Sequence, residues 1–129
     1  MGERSAILVV DGNPLARSSA GRMIGSAHPD LVVVEADRFA SALDLLEIRR
    51  PSVVITDIRL KDGSGLDLSE IIAGRFPDTF VVVFTSDDGP EYRNEALKRG
   101  ADAFVSKTEG GGSVLMEILR RHRSGTGEG

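Results

Sequence analysis

The sequence predicts an α/β domain: a five-stranded parallel sheet, doubly wound, with helices on both faces. Three observations predict it. Five short apolar runs, at residues 6–10, 31–34, 53–55, 81–84 and 103–105, begin 25, 22, 28 and 22 residues apart. That interval holds one strand, one crossover helix and two loops. The runs lack polar alternation, the pattern of strands covered on both faces. Between them, apolar residues recur at helical spacing. Right-handed crossovers then favour the strand order 2-1-3-4-5, with a crevice between the first and third strands.

Taken in order, the first run ends at Asp11, and Asn13 follows as N-cap with Pro14 at the first helical position. Ala16, Ala20, Met23, Ile24 and Ala27 give that helix one apolar face. After the second run and Asp37, Phe39, Ala42, Leu43 and Leu46 make a second helix, which Pro51 prevents from continuing. The third run leads into Asp57 and a loop rich in Gly and charge. Ser64 and Asp67 resemble a capping box ahead of Leu68, Ile71, Ile72 and Phe76. Asp88, Gly89 and Pro90 announce a fourth helix over 91–99, whose stripe is only Ala96 and Leu97 with Tyr92. A helix with so little to bury is loosely held. Val114, Leu115, Ile118 and Leu119 form the last helix. Arg120, Arg121 and Arg123 beyond it complement the helix dipole as well as they would form a binding patch.

A chain of 129 residues suits one domain with a real core, expected over 1–123, with the small polar tail 124–129 as a flexible linker outside it. A net charge of −4 argues against direct nucleic-acid binding. No cysteine is present, which excludes disulfides and thiolate chemistry, and two histidines are too few for a His-rich metal site. No apolar run nears the ~20 residues of a membrane span and no signal-peptide core opens the chain, so the expected location is cytoplasmic.

The ends of the central strands carry the chemistry. The first delivers Asp11, the third Asp57, the fourth Thr85 and the fifth Lys107. Singly each has a plain reading: a turn-capping Asp, a strand-end Thr, a solvated Lys. Together they bring two carboxylates, a hydroxyl and an ammonium to one rim, where open α/β sheets bind ligands. Paired carboxylates invite a hard cation such as Mg²⁺. A carboxylate beside that ion, a lysine and a hydroxyl is placed to act as the nucleophile of phosphoryl transfer.

These stretches resemble the receiver domains of two-component response regulators, the CheY-like form of the flavodoxin-like order. The similarity covers nearly all of residues 5–121. It is carried by Ile7-Leu8-Val9-Val10-Asp11, by Val53-Val54-Ile55-Thr56-Asp57-Ile58-Arg59-Leu60 with Asp62-Gly63-Ser64-Gly65-Leu66, by Val82-Val83-Phe84-Thr85-Ser86, and by Gly100-Ala101-Asp102-Ala103-Phe104-Val105-Ser106-Lys107. The resemblance implies that Asp57 accepts a phosphoryl group from a sensor histidine kinase or phosphotransfer protein. It implies that Asp11, Asp57 and the main-chain carbonyl of Arg59 hold Mg²⁺, that Lys107 contacts the phosphoryl group, and that Thr85 and Phe104 switch. The output face would be the fourth helix, fifth strand and fifth helix, used by a homodimer or a C-terminal effector domain. Such a protein is a switch with Mg²⁺-assisted self-phosphorylation and slow self-dephosphorylation, not a turnover enzyme.

The sequence departs from that family at Gly12, where receivers carry a second acidic residue that touches the metal. A carboxylate and a cation attract by about 4 kcal/mol per unit charge pair at about 4 Å and an effective dielectric near 20. Dehydration cancels most of it, leaving a net loss of roughly 1–3 kcal/mol, about ten- to a hundredfold in Mg²⁺ affinity. Lys61 and Thr108 replace prolines common in the family, and Gly110-Gly111-Gly112 follows, so both loops are expected to be looser. Arg59 and Asp87 flank the site and are able to pair across it. Gly12 also motivates an alternative, a degenerate receiver that signals through contacts without phosphate. A flavin- or nucleotide-binding domain is a third reading, opposed by Asp11 standing where a phosphate-cradling loop would be.

Overall fold

The strand order follows from burial. In the computed structural model, which describes residues 5–126, the sheet runs β2-β1-β3-β4-β5 with every pairing parallel. Its strands are β1 (Ala6–Val10), β2 (Val32–Ala36), β3 (Val53–Thr56), β4 (Phe80–Thr85) and β5 (Ala103–Ser106). The helices are α1 (Pro14–Ala27), α2 (Phe39–Arg49), α3 (Gly65–Arg75), α4 (Pro90–Lys98) and α5 (Gly111–Thr126). A small antiparallel hairpin, Arg59–Leu60 with Gly63–Ser64, lies between β3 and α3. The expected order and helix count both hold.

Alternation along β1 divides the core. Leu8 and Val10 face Leu46, Leu68 and Ile72 on the α2–α3–α4 side, while Ile7 and Val9 face Ile24, Leu115 and Leu119 on the α1–α5 side. Each such fully buried side chain contributes roughly 1.5–3 kcal/mol. β2 departs from the expectation of full cover. It is an edge strand, shifted to 32–36, with Val32, Val33 and Val34 half-buried and Glu35 exposed.

The caps show how far local chemistry reaches. Asn13 accepts from the Leu15 and Ala16 N–H groups and Pro14 opens α1, as the sequence requires. Ser64 caps α3 by accepting from Leu66, whereas Asp67 turns away to an ion pair with Arg99. At α2 the N-cap is Arg38, which supplies no side-chain cap. Asp62 of the small hairpin accepts instead from the Phe39 and Ala40 N–H groups. In α4 only Ala96 is buried, so its expected thin stripe is real. α5 extends through Thr126, three residues beyond 123, where the domain was expected to close. Of the arginines near its end, Arg120 and Arg121 hydrogen-bond Glu117 and hold its carboxyl down to about 2, and Arg123 pairs with Asp30.

Candidate functional site

Parallel register aligns the strand ends. Val10 stands opposite Thr56, and Thr56 opposite Val83, so Asp11, Asp57 and Thr85 leave the sheet at one rim. Thr85 is paired with Ser106, which places Lys107 beside them. Backbone bonds fix the turn-outs: Asp57 N–H donates to Val10, Asp11 N–H to Ala36, and Lys107 N–H to Thr85. Gly65 closes the loop after Asp57. Its N–H donates to Ile58, and a Cβ there would run into the Asp57 carbonyl oxygen.

Lys107 is the centre of the site. Its Nζ donates to Asp11 Oδ2 at 2.6 Å and to Asp57 Oδ2 at 3.1 Å, joining groups 96 and 50 residues away. Asp11 is 5 % exposed, and its other oxygen accepts from the Asn13 N–H at 2.9 Å. Asp57 is half-buried, and its Oδ1 accepts from the Ile58 N–H at 2.7 Å. Burial favours a neutral Lys107, but the Asp11 hydrogen bond and the fields of Asp57 and Asp11 outweigh it. The ammonium is therefore held above its usual range. Phe84 lies under it, with Nζ 5.7 Å from the ring centroid.

Thr85 is wholly buried; its hydroxyl accepts from the Asp87 N–H at 3.1 Å, so its own proton stays available to donate. Arg59 and Asp87 pair at 2.7 and 3.1 Å, as their positions allow. Asp87 is the first cause of the raised Arg59 pKa. Phe104 is half-buried and packs, as Tyr92 does, against the core on the α2–α3–α4 side. Around the Lys107 loop, Ser106 Oγ donates to Asp88 Oδ2 at 2.7 Å and accepts from the Thr108 N–H, ties not foreseen in the sequence. Arg17 was missed too; it donates to the Asp11 carbonyl at 2.8 Å.

Among the described residues, no three carboxylate or imidazole side chains gather as metal ligands. The donors at the β1–β3 rim are two carboxylates and the Arg59 carbonyl oxygen. That oxygen lies 3.5 Å from where a Cβ on Gly12 would stand. Two carboxylates against one ammonium leave net negative charge, and all three donors are hard oxygens. The set suits Mg²⁺, which keeps several waters.

Comparison with known proteins identifies relatives of the chain. The family described as "Response regulator receiver domain" matches residues 7–120. The DNA-binding transcriptional activator DevR/DosR of Mycobacterium tuberculosis is 33 % identical over 115 residues, covering 88 % of this chain and 51 % of that protein. The photosynthetic apparatus regulatory protein RegA of Cereibacter sphaeroides is 30 % identical over 122 residues, covering 95 % and 65 %. The chain thus spans about half to two thirds of these relatives. Among solved structures, the signal receiver domain of NarL from Mycobacterium tuberculosis superposes with a TM-score of 0.81 at 27 % identity, covering 95 % of this chain and 98 % of that one. No helix among the described residues is long and apolar enough to cross a membrane.

Proposed function

The chain belongs to the response regulator receiver domain family, and on that premise we propose that Asp57 is its phosphoryl acceptor in two-component signalling. The observation that carries the reading is the double hydrogen bond of Lys107 to Asp11 and Asp57. It puts a fixed positive charge beside the nucleophile and beside the carboxylate that would share a cation with it.

The donor is a phosphohistidine on a sensor kinase or phosphotransfer protein. Asp57 Oδ2 attacks phosphorus, a P–O bond forms, the P–N bond breaks, and the imidazole leaves with that electron pair. The Ile58 N–H fixes Oδ1 and so orients the carboxylate. Lys107 follows the incoming phosphoryl oxygens, and the Thr85 proton is the donor for another. Asp11, Asp57 and the Arg59 carbonyl would hold Mg²⁺, which would supply neutralisation of the charge on the phosphoryl oxygens. Movement of Thr85 draws Phe104 inward and biases α4, whose single buried residue leaves it easy to shift. The output passes through α4, β5 and α5 to a second copy or an effector domain, in the cytoplasm.

The test is incubation with acetyl phosphate and Mg²⁺, followed by intact-mass measurement. One acid-stable, base-labile phosphoryl group is expected on the parent and none on Asp57→Asn, because an amide forms no acyl phosphate. Full labelling of Asp57→Asn would overturn the assignment.

A further inference from the structure

We propose that Lys61 is a built-in cation that competes with Mg²⁺ for the gap beside Gly12, and so sets how much Mg²⁺ the pocket requires; this rests on the metal-assisted reading above. Gly12 and Lys61 are far apart in sequence but adjacent in the fold. A Cβ on Gly12 would lie 3.5 Å from the Arg59 carbonyl oxygen, 3.7 Å from Lys61 Cγ and 3.8 Å from the Asp37 carbonyl oxygen. The space that an acidic side chain would fill is therefore walled by the carbonyl assigned to the metal and by a lysine stem.

The lysine backbone is fixed there. Leu60 pairs with Gly63 across the hairpin, and Asp62 anchors that hairpin to the first N–H groups of α2. Three bonds separate Cγ from the ammonium, a reach of roughly 4 Å, so Nζ can swing into the gap without backbone movement.

Its present tether is slight. Nζ pairs with Asp37 Oδ2 at 3.4 Å, half-exposed, and Asp37 is shared with Arg38 at 3.2 Å. Exposed pairs of this kind hold little. Lys107 neutralises the two carboxylates from the β5 side, while Lys61 adds positive charge at the opposite, Gly12 side. A divalent ion entering between them meets a repulsion that a remote surface lysine, beyond the ~8 Å screening length, does not exert.

The experiment compares Mg²⁺ binding, read from amide shifts and calorimetry, in the parent, Lys61→Gln, Lys61→Arg and Lys98→Gln. Lys61→Gln keeps a long stem and removes the charge, and it is expected to bind Mg²⁺ about three- to tenfold more tightly at low salt. The gain should shrink as salt rises. Lys61→Arg and the α4 control Lys98→Gln should stay with the parent. Equal affinity in Lys61→Gln and parent, or an equal gain in Lys98→Gln, overturns the proposal. If the parent binds too weakly to measure, binding by Lys61→Gln supports it and continued absence of binding overturns it. Labelling of Asp57 is scored separately. A parent that labels with Mg²⁺ while Lys61→Gln gains no affinity retires the lysine alone. Failure of every variant to label retires the phosphoryl-acceptor reading.

Discussion

At the β4–β5 side of the pocket, Thr85 is fully buried, Lys107 bonds two carboxylates, and Ser106 ties the strand end to Asp88. At the β1 side, Asp11 is as well buried and as firmly held, by Asn13 and Lys107, yet the next residue is Gly12 and the space beyond it is edged by Lys61. On the proposed reading, the first side carries Thr85 and Lys107, the groups that would contact phosphoryl oxygens. The second carries one carboxylate that would hold a cation, Asp11, with Gly12 beside it. The phosphoryl contacts thus come from β4 and β5 and one metal carboxylate from β1, and the two meet at Asp57 after β3, so group transfer and cation binding are expected to be separable in part. A loss confined to the β1 side weakens a cofactor without removing the nucleophile or its lysine.

The sharpest way to break that separation is Lys107→Met. The rate of Asp57 labelling should fall by about a hundred- to a thousandfold, the usual loss for one charge-stabilising donor. The same variant should bind Mg²⁺ more tightly than the parent, since two carboxylates are freed of their ammonium. Without metal they repel, and a denaturant curve in EDTA should show a loss of roughly 1–3 kcal/mol, partly recovered with Mg²⁺. Loss of labelling together with loss of Mg²⁺ affinity would mean that the two sides act as one.

Gly12→Asp probes the other side. The nearest atoms to an added Cβ are at ordinary van der Waals distance and no left-handed backbone is required at Gly12, so the substitution fits. The variant should melt below the parent in EDTA, by roughly a kcal/mol, because a third carboxylate joins Asp11 and Asp57. It should then gain more than the parent from millimolar Mg²⁺. A melt indifferent to Mg²⁺ would take the metal away from this rim.

A smaller, distributed effect concerns the output. Beryllofluoride should shift the amides of Thr85, Phe104 and α4 more than those of α1 or α2. α4 buries only Ala96, whereas α2 is capped by Asp62 and buries Ala42 and Leu46. Shifts restricted to the neighbourhood of Asp57 would favour a receiver that does not relay phosphorylation.

Alkaline pH should produce the smallest change. The Lys107 amine titrates higher in the fold than its ordinary 10.5, so its contribution to stability is complete below that pH and fades as pH rises through the folded value. Melts of the parent should lose this increment above pH 10.5, and melts of Lys107→Met should not.

Much of the fold and site was legible in the sequence because its determinants are local or topological. Asn13-Pro14 writes its own cap, five apolar runs at near-constant spacing specify the sheet, and strand order then gathers Asp11, Asp57, Thr85 and Lys107. What escaped depends on pairs that spacing does not encode. Asp62 caps α2 from 22 and 23 residues away, and Asp67 leaves its local capping role for Arg99, the C-cap of α4. The exposure of β2 escaped because its run lacks the polar alternation of a half-covered strand, although the expected order already put it at an edge. The contact of Lys61 with the Gly12 gap is likewise a product of the hairpin's placement, so two departures that read as independent are neighbours.

The most direct measurement is the extent of Asp57 phosphorylation by acetyl phosphate as a function of Mg²⁺ concentration, in the parent and in Gly12→Asp. Both proteins should reach one phosphoryl group, with half-saturation in Gly12→Asp at about ten- to a hundredfold less Mg²⁺. Identical Mg²⁺ requirements in the two proteins would contradict the account, as would a parent that stays unlabelled at saturating Mg²⁺.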